Sequence, residues 1–230
     1  MADNKNEVAE ATATEMTMFD DTLLSGGTGL EETTTEDFAI PFIRVLQPMS
    51  PQLQKQHGSY VAGASAGDLF NTVTGEAYDG EKGISIVPCA YSCTRNPNDR
   101  RYYTAEGNEI VETAQFFVLV VKDGTAQQAV LAFTSTQLGV SRKWLTMLRM
   151  ARVQNSKGVS VEAPMFAYTY NLSSTTQSND KGSWNAYTIS QEGPTQMPTA
   201  MMAKEFMSAA RTGEVEVKQE HQNDVVNDTI

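Results

Sequence analysis

Apolar positions in this chain follow two periods. Gln115-Phe116-Phe117-Val118-Leu119-Val120-Val121 is rich in β-branched and aromatic residues and predicts a strand. Lys122-Asp123-Gly124-Thr125 turns it back, Asp-Gly being a strong hairpin signal, and Gln128–Thr134 is the partner strand. Upstream, Gly83–Cys93 predicts a long strand with Pro88 marking an edge or a bulge, and a polar loop over 94–114 follows it. The period then changes. Over 136–153, Trp144, Leu148 and Ala151 recur at helical spacing with Leu145 and Met147 beside them, while Arg142, Arg149 and Arg152 fall opposite, next to Lys143. Two further strands, Pro164–Asn171 and Ser183–Ile189, are separated by a polar loop over 173–182. Pro198–Arg211 reads as a helix stopped by Gly213.

The segment 38–51 is apolar but cut by Pro41, Pro48 and Pro51, which suits an extended edge laid over a core rather than a helix. Ser59–Gly63 and Asp68–Val73 are short strand candidates, and 71–76 reads as a turn. Residues 1–37 lack periodicity and have linker composition, so they read as a disordered arm. The order strand, long loop, strand, tight turn, strand, helix, strand, loop, strand is that of an OB-fold. The expectation is therefore a mainly β protein: a five-stranded Greek-key barrel at 83–190 with one helix between strands 3 and 4. That helix plugs the barrel bottom, and the barrel belongs to a single domain at 38–213. A β-sandwich shares the strand richness but gives no reason for a helix at this point.

Charge divides the chain further. The net charge of −11 on 230 residues is concentrated at the ends: residues 1–40 hold ten acids against one lysine, and 214–230 hold five against Lys218. The body, 41–213, has 15 basic against 13 acidic residues, and 136–158 contains no acid at all. Acidic tails of this kind are candidate interaction segments and can compete for a basic groove in place of nucleic acid. No run reaches the roughly 18 apolar residues that a membrane span needs, and the polar N-terminus resembles no signal peptide. The expected compartment is the cytoplasm, including that of an infected host.

Cys89 and Cys93, four apart on one strand, are expected on one face as free thiols, too far apart to bridge. With only His57 and His221 besides, no tetrahedral metal set can be assembled, and no cofactor is implied. Phosphate-cradling, nucleophile-elbow and zinc-protease motifs are all missing, so no catalytic residue is assigned.

The loops carry the candidate binding chemistry. In OB-folds the loops after strands 1 and 4 border the oligonucleotide face. The first holds Arg95, Arg100 and Arg101 beside Tyr102 and Tyr103, pairing guanidinium groups for phosphate with flat rings for bases. The second holds Lys181, with Trp184 and Tyr187 just beyond; three apart on a strand, those two rings point to opposite faces, so at most one can stack. Arg142 and Lys143, at the strand-to-helix junction, are placed to support a phosphate.

Three stretches carry a resemblance: Ile40-Pro41-Phe42-Ile43-Arg44-Val45-Leu46-Gln47-Pro48-Met49-Ser50-Pro51, Gly67-Asp68-Leu69-Phe70-Asn71-Thr72-Val73-Thr74-Gly75-Glu76, and Ser135-Thr136-Gln137-Leu138 with Ser141-Arg142-Lys143-Trp144. Over about 38–190 the chain resembles a family of small bacteriophage proteins, encoded among replication and recombination genes, associated with OB-fold single-stranded DNA binding. The resemblance implies a non-catalytic coat for transient single strands. One departure is that the tail ends Asn227-Asp228-Thr229-Ile230 rather than in acids closed by an aromatic residue. The competing expectations are a phage structural or host-interaction protein that ignores DNA, and a nuclease or strand-annealing recombinase.

Overall fold

The computed structural model describes Gly29, Glu32 and residues 39–94, 102–103, 109–180 and 182–212, with backbone alone for 102–103 and 109–110. The chain divides into two units, Met1–Asp37 and Phe38–Ile230, and the architecture is that of the second.

In chain order it comprises β1 (Ile43–Val45), β2 (Leu69–Asn71), β3 (Ala77–Tyr78), β4 (Ile84–Thr94), β5 (Tyr102–Tyr103), β6 (Glu109–Ile110), β7 (Thr113–Lys122) and β8 (Thr125–Thr134). A 3-10 turn, Ser135–Gln137, leads into α1 (Leu138–Met150). There follow β9 (Arg152–Gln154), β10 (Ser160–Glu162), β11 (Tyr168–Asn179), β12 (Gly182–Pro194) and α2 (Met197–Thr212). The protein is mainly β. A five-stranded antiparallel sheet runs β12-β11-β4-β7-β8, beside a three-stranded sheet β1-β2-β3 and the pairs β9-β10 and β5-β6.

β7 is an almost continuous apolar run because both of its faces are covered. Phe116, Val118 and Val120 join Ile86, Leu131, Phe133 and Tyr170 on the face that receives Trp144 and Leu148 of α1. Phe117 and Leu119 join Val87, Cys89 and Val130 on the other, under Ala203 and Phe206 of α2. Trp144 is 1% exposed, stacks on Phe116 at 4.3 Å and meets Tyr170 edge-on at 5.7 Å. Burial of this kind makes truncation of such a ring cost about 3–5 kcal/mol.

Several expectations change. The barrel is not closed: β8 and β12, the two edges, are not hydrogen-bonded to each other. The segment around β1 lies between them instead. Val130 N–H donates to Pro41 O at 2.8 Å, and Phe42 bridges Val130 in parallel. On the other side, Gln47 pairs with the Asn185 backbone as a strand would: its Nε2 donates to Asn185 O and its Oε1 accepts from Asn185 N–H, both at 2.9 Å. Tyr187 N–H reaches Gln137 Oε1 at 3.4 Å. An edge strand's backbone groups need partners, and here side-chain amides supply them.

Cys89 and Cys93 face opposite layers, not one. The register shifts between Pro88 and Ala90, and the bulge inverts the alternation, so that Cys89 packs under α2 and Cys93 toward α1. The expected loop over 173–182 is strand at Ser173–Asn179 and again from Gly182; β11 and β12 pair without interruption from Ser173↔Thr188 to Asn179↔Gly182. Its Ser and Thr residues give a polar ladder whose cross-strand pairs hold an exposed hairpin together. The strand expected from Pro164 begins at Tyr168, after a 3-10 turn at Met165–Ala167. Ser59–Gly63 forms turns. The first helix ends at Met150; its third buried residue is Ser141 rather than Ala151, and Arg152 lies on β9.

Close approach of the β2–β3 layer to β11 requires glycine at position 80. A Cβ there would lie 1.9 Å from Gly67 O, and Ser174 N–H donates to Gly80 O at 2.8 Å.

Replacing Gln47 with Ala removes both bonds to Asn185 and is expected to lower unfolding free energy by about 1–3 kcal/mol. Gln54→Ala, at an exposed site, stays within about 0.5 kcal/mol of the parent in the same urea titration. Alkaline behaviour provides a second check. Burial first, then the hydrogen bond its hydroxyl gives Glu76 Oε2, pushes Tyr78 up to about 12, and burial pushes Cys89 up to about 12. Both groups stay protonated in the fold while the unfolded chain ionises near its ordinary values. Stability therefore holds up to about pH 9 and falls from there toward pH 12. Tyr78→Phe is expected to make that fall shallower in denaturation midpoints measured across pH 8–11.

Candidate nucleic-acid interface

Because β8 and β12 do not pair, a groove of about 610 Å³ opens at their seam. One wall is Phe42, Ile43, Arg44, Val45 and Gln47 with Pro48 and Met49. A second is the end of β8 and its turn, Ala132 and Thr134–Gln137. The third is the tip of the β11–β12 hairpin, Asn179 and Gly182–Trp184, with Tyr187 behind it. Among the described residues the lining has no acid, in a chain of net charge −11. Proline at 41 and 48 keeps the first wall extended. The sharp change from β8 into α1 sets the second.

Arg44 is the one charged side chain among the described residues of the lining, with its guanidinium carbon 5.8 Å from the Phe42 ring centre. Trp184 is half-buried, and its Nε1–H is covered with no acceptor among the described residues. Hydroxyls come from Thr134, Ser135, Thr136 and Ser183, and amides from Gln137 and Asn179. The first turns of the helical run Ser135–Met150 carry no acid and no side-chain cap, so the positive end of its dipole is not neutralised there. Uncharged donors, one cation and an aromatic ring suit a ligand that carries negative charge and flat, apolar surface. A shallower concavity of about 480 Å³ runs along α2, and its described lining, Met201, Lys204, Glu205, Ser208, Ala209 and Thr212, comes from that one helix.

The sequence-derived candidates distribute unevenly. Trp184 reaches the groove. Tyr187 is 4% exposed and its hydroxyl donates to Ile43 O at 2.6 Å, so its ring belongs to the core beside Phe133; burial holds its ionisation well above the ordinary tyrosine value. Arg142 and Lys143 are exposed on α1 outside the lining. Further along, Arg149 faces Glu162 at 3.7 Å and Arg152 donates to Arg149 O at 2.9 Å. Tyr102 and Tyr103 lie on β5, paired with Ile110 and Glu109. Arg95, Arg100, Arg101 and Lys181 fall outside the described residues.

Arg44, Gln47, Ser135 and Gln137 were missed in the sequence. Arg44 and Gln47 had a readable signal, as the charged residue and the amide inside an apolar, proline-cut segment. Among the described residues no group of three or more His, Cys, Asp or Glu could hold a metal, and no helix is long and apolar enough to cross a membrane.

A family model described as Pam3 phage gp34-like protein matches residues 9–94 and 93–216. No curated protein and no solved structure matches the chain.

Proposed function

The chain belongs to the family of Pam3 phage gp34-like proteins, and on that footing we propose that it is a non-catalytic single-stranded DNA-binding protein with an OB-like domain, covering transient strands during replication or recombination. The observation that carries this reading is the groove at the sheet seam, whose described residues include Arg44 and Trp184 and no acid. The OB-like part rests on strand order. Taking β4, β7, β8, β11 and β12 as strands one to five, the sheet runs 5-4-1-2-3 with the helix after the third. That is the order of an OB barrel, with the segment around β1 standing in the closing seam. The groove then lies beside the loop between strands four and five, where such folds take oligonucleotides.

In this reading Arg44 neutralises phosphate at the groove and Trp184 stacks a base. Arg95, Arg100, Arg101, Tyr102, Tyr103 and Lys181 extend the contact along the neighbouring loops, and Arg142 and Lys143 lend charge from α1. Flat rings and guanidinium groups tolerate any base, which suits a coat rather than a sequence reader. The acidic termini, rich in Asp and Glu, are the candidate contacts for replication or recombination partners, and the working compartment is the host cytoplasm.

A second reading, a phage structural or host-interaction protein indifferent to DNA, draws on the exposed Met197, Met201 and Met202 of α2. Adaptable methionine surfaces suit protein partners.

Titration of labelled oligo-dT against duplex DNA over a salt series decides between the two. The expected result is a preference for the single strand, with log affinity falling by about 0.7 per log unit of salt for each phosphate neutralised. Trp184→Ala is expected to weaken binding by about 1–3 kcal/mol. Absence of oligo-dT binding at low salt, together with stable co-purification of a protein, would leave the second reading standing.

A further inference from the structure

Among the described residues only two non-glycine residues have a left-handed backbone, Asp123 at φ 49° and Ser135 at φ 48°. Asp123 is accounted for by its turn. It precedes Gly124 at φ 76° in the two-residue hairpin between β7 and β8, where both central residues need positive φ. Ser135 has no such explanation. It lies between β8 and α1, where glycine would adopt the same backbone without steric cost. The chain does use glycine at the other left-handed positions described, among them Gly63, Gly75 and Gly158. Strain kept at one position, with a cheaper residue available, points to a role for the side chain itself.

The position supports that inference. Ser135 is exposed on the groove wall, and its hydroxyl has no hydrogen-bond partner among the described residues. It is not needed to hold the turn, because Leu138 N–H donates to the Ser135 backbone carbonyl instead. We propose that Ser135 is a ligand-contacting residue of the groove, held in a left-handed conformation so that its hydroxyl donates to a phosphodiester oxygen of the bound single strand. The inference rests on the nucleic-acid reading of the groove. Serine hydroxyls are common donors to phosphate, and such contacts position the strand without reading its sequence. Phosphate is favoured over a base edge because the wall is exposed and opens beside the cation Arg44.

Two substitutions in the full chain separate the side chain from the backbone. Ser135→Ala keeps the left-handed residue and deletes the hydroxyl, so its melting temperature stays close to that of the parent. Its affinity for labelled oligo-dT falls by about two- to tenfold, the size of one hydrogen bond to a charged or polar acceptor. Ser135→Gly also loses the affinity, but melts about 2 °C or more above the parent because the strain is gone. Both losses are equal on oligo-dT and oligo-dC of one length, as a phosphate contact requires. Parental affinity in Ser135→Ala overturns the proposal, as does a loss confined to one of the two oligonucleotides. A Ser135→Gly chain that melts no higher than the parent removes the strain argument and overturns it too. In each of those cases the parent still binds DNA and the functional reading survives. If the parent binds neither oligonucleotide, that reading fails and this inference fails with it.

Discussion

The pairing of one glutamine side chain with one residue of backbone holds this architecture in its open form. A five-stranded sheet has two edges, and one usual solution is to hydrogen-bond them into a barrel. Here Gln47 presents a carboxamide to the N–H and C=O of Asn185, in the geometry a neighbouring strand would offer. Asn185 returns the arrangement by donating Nδ2–H to Leu46 O at 3.2 Å, and Tyr187 adds its hydroxyl to Ile43 O. With the edge satisfied in this way, β8 has no need to approach β12. The groove opens at that seam with the segment around β1 as one wall, so its shape and the covering of the β12 edge depend on the same few bonds.

That dependence explains which parts of the architecture could be read from the chain. Strands β4, β7 and β8 were legible because their apolar runs end in recognisable turn residues, above all Asp123-Gly124. The α1 face was legible because Trp144 and Leu148 keep helical spacing. What could not be read were features set by pairing across long separations. Nothing near residue 47 indicates that its amide will meet residue 185. The bulge after Pro88 was anticipated as an alternative, yet its effect on the two cysteines depends on counting register against β7. The β11–β12 hairpin was hidden for another reason. Its serines and threonines have loop composition, and only their facing partners make them a ladder.

The candidate site divides along the same line. Trp184 could be found as an aromatic residue beside a polar turn, while Tyr187, three residues on, is consumed by the core. Arg44 and Ser135 come from segments that looked purely structural, and they meet Trp184 only because the seam stays open. A binding surface assembled at a gap between edges takes residues from whatever borders the gap. Residue type along the chain is therefore a weak guide to it, and loops rich in Arg and Tyr are a natural but incomplete place to look.

The inverted alternation in β4 also gives the molecule two chemically distinct reporters, one in each layer. Cys89 lies under α2, where burial keeps it a thiol and slow to react; Cys93 is half-buried on the α1 side. Because no other thiol is present in the chain, an alkylating reagent reaches the half-buried Cys93 first, and the delay before Cys89 reacts records how long the layer under α2 stays closed. The local opening of that layer can thus be timed without adding a label.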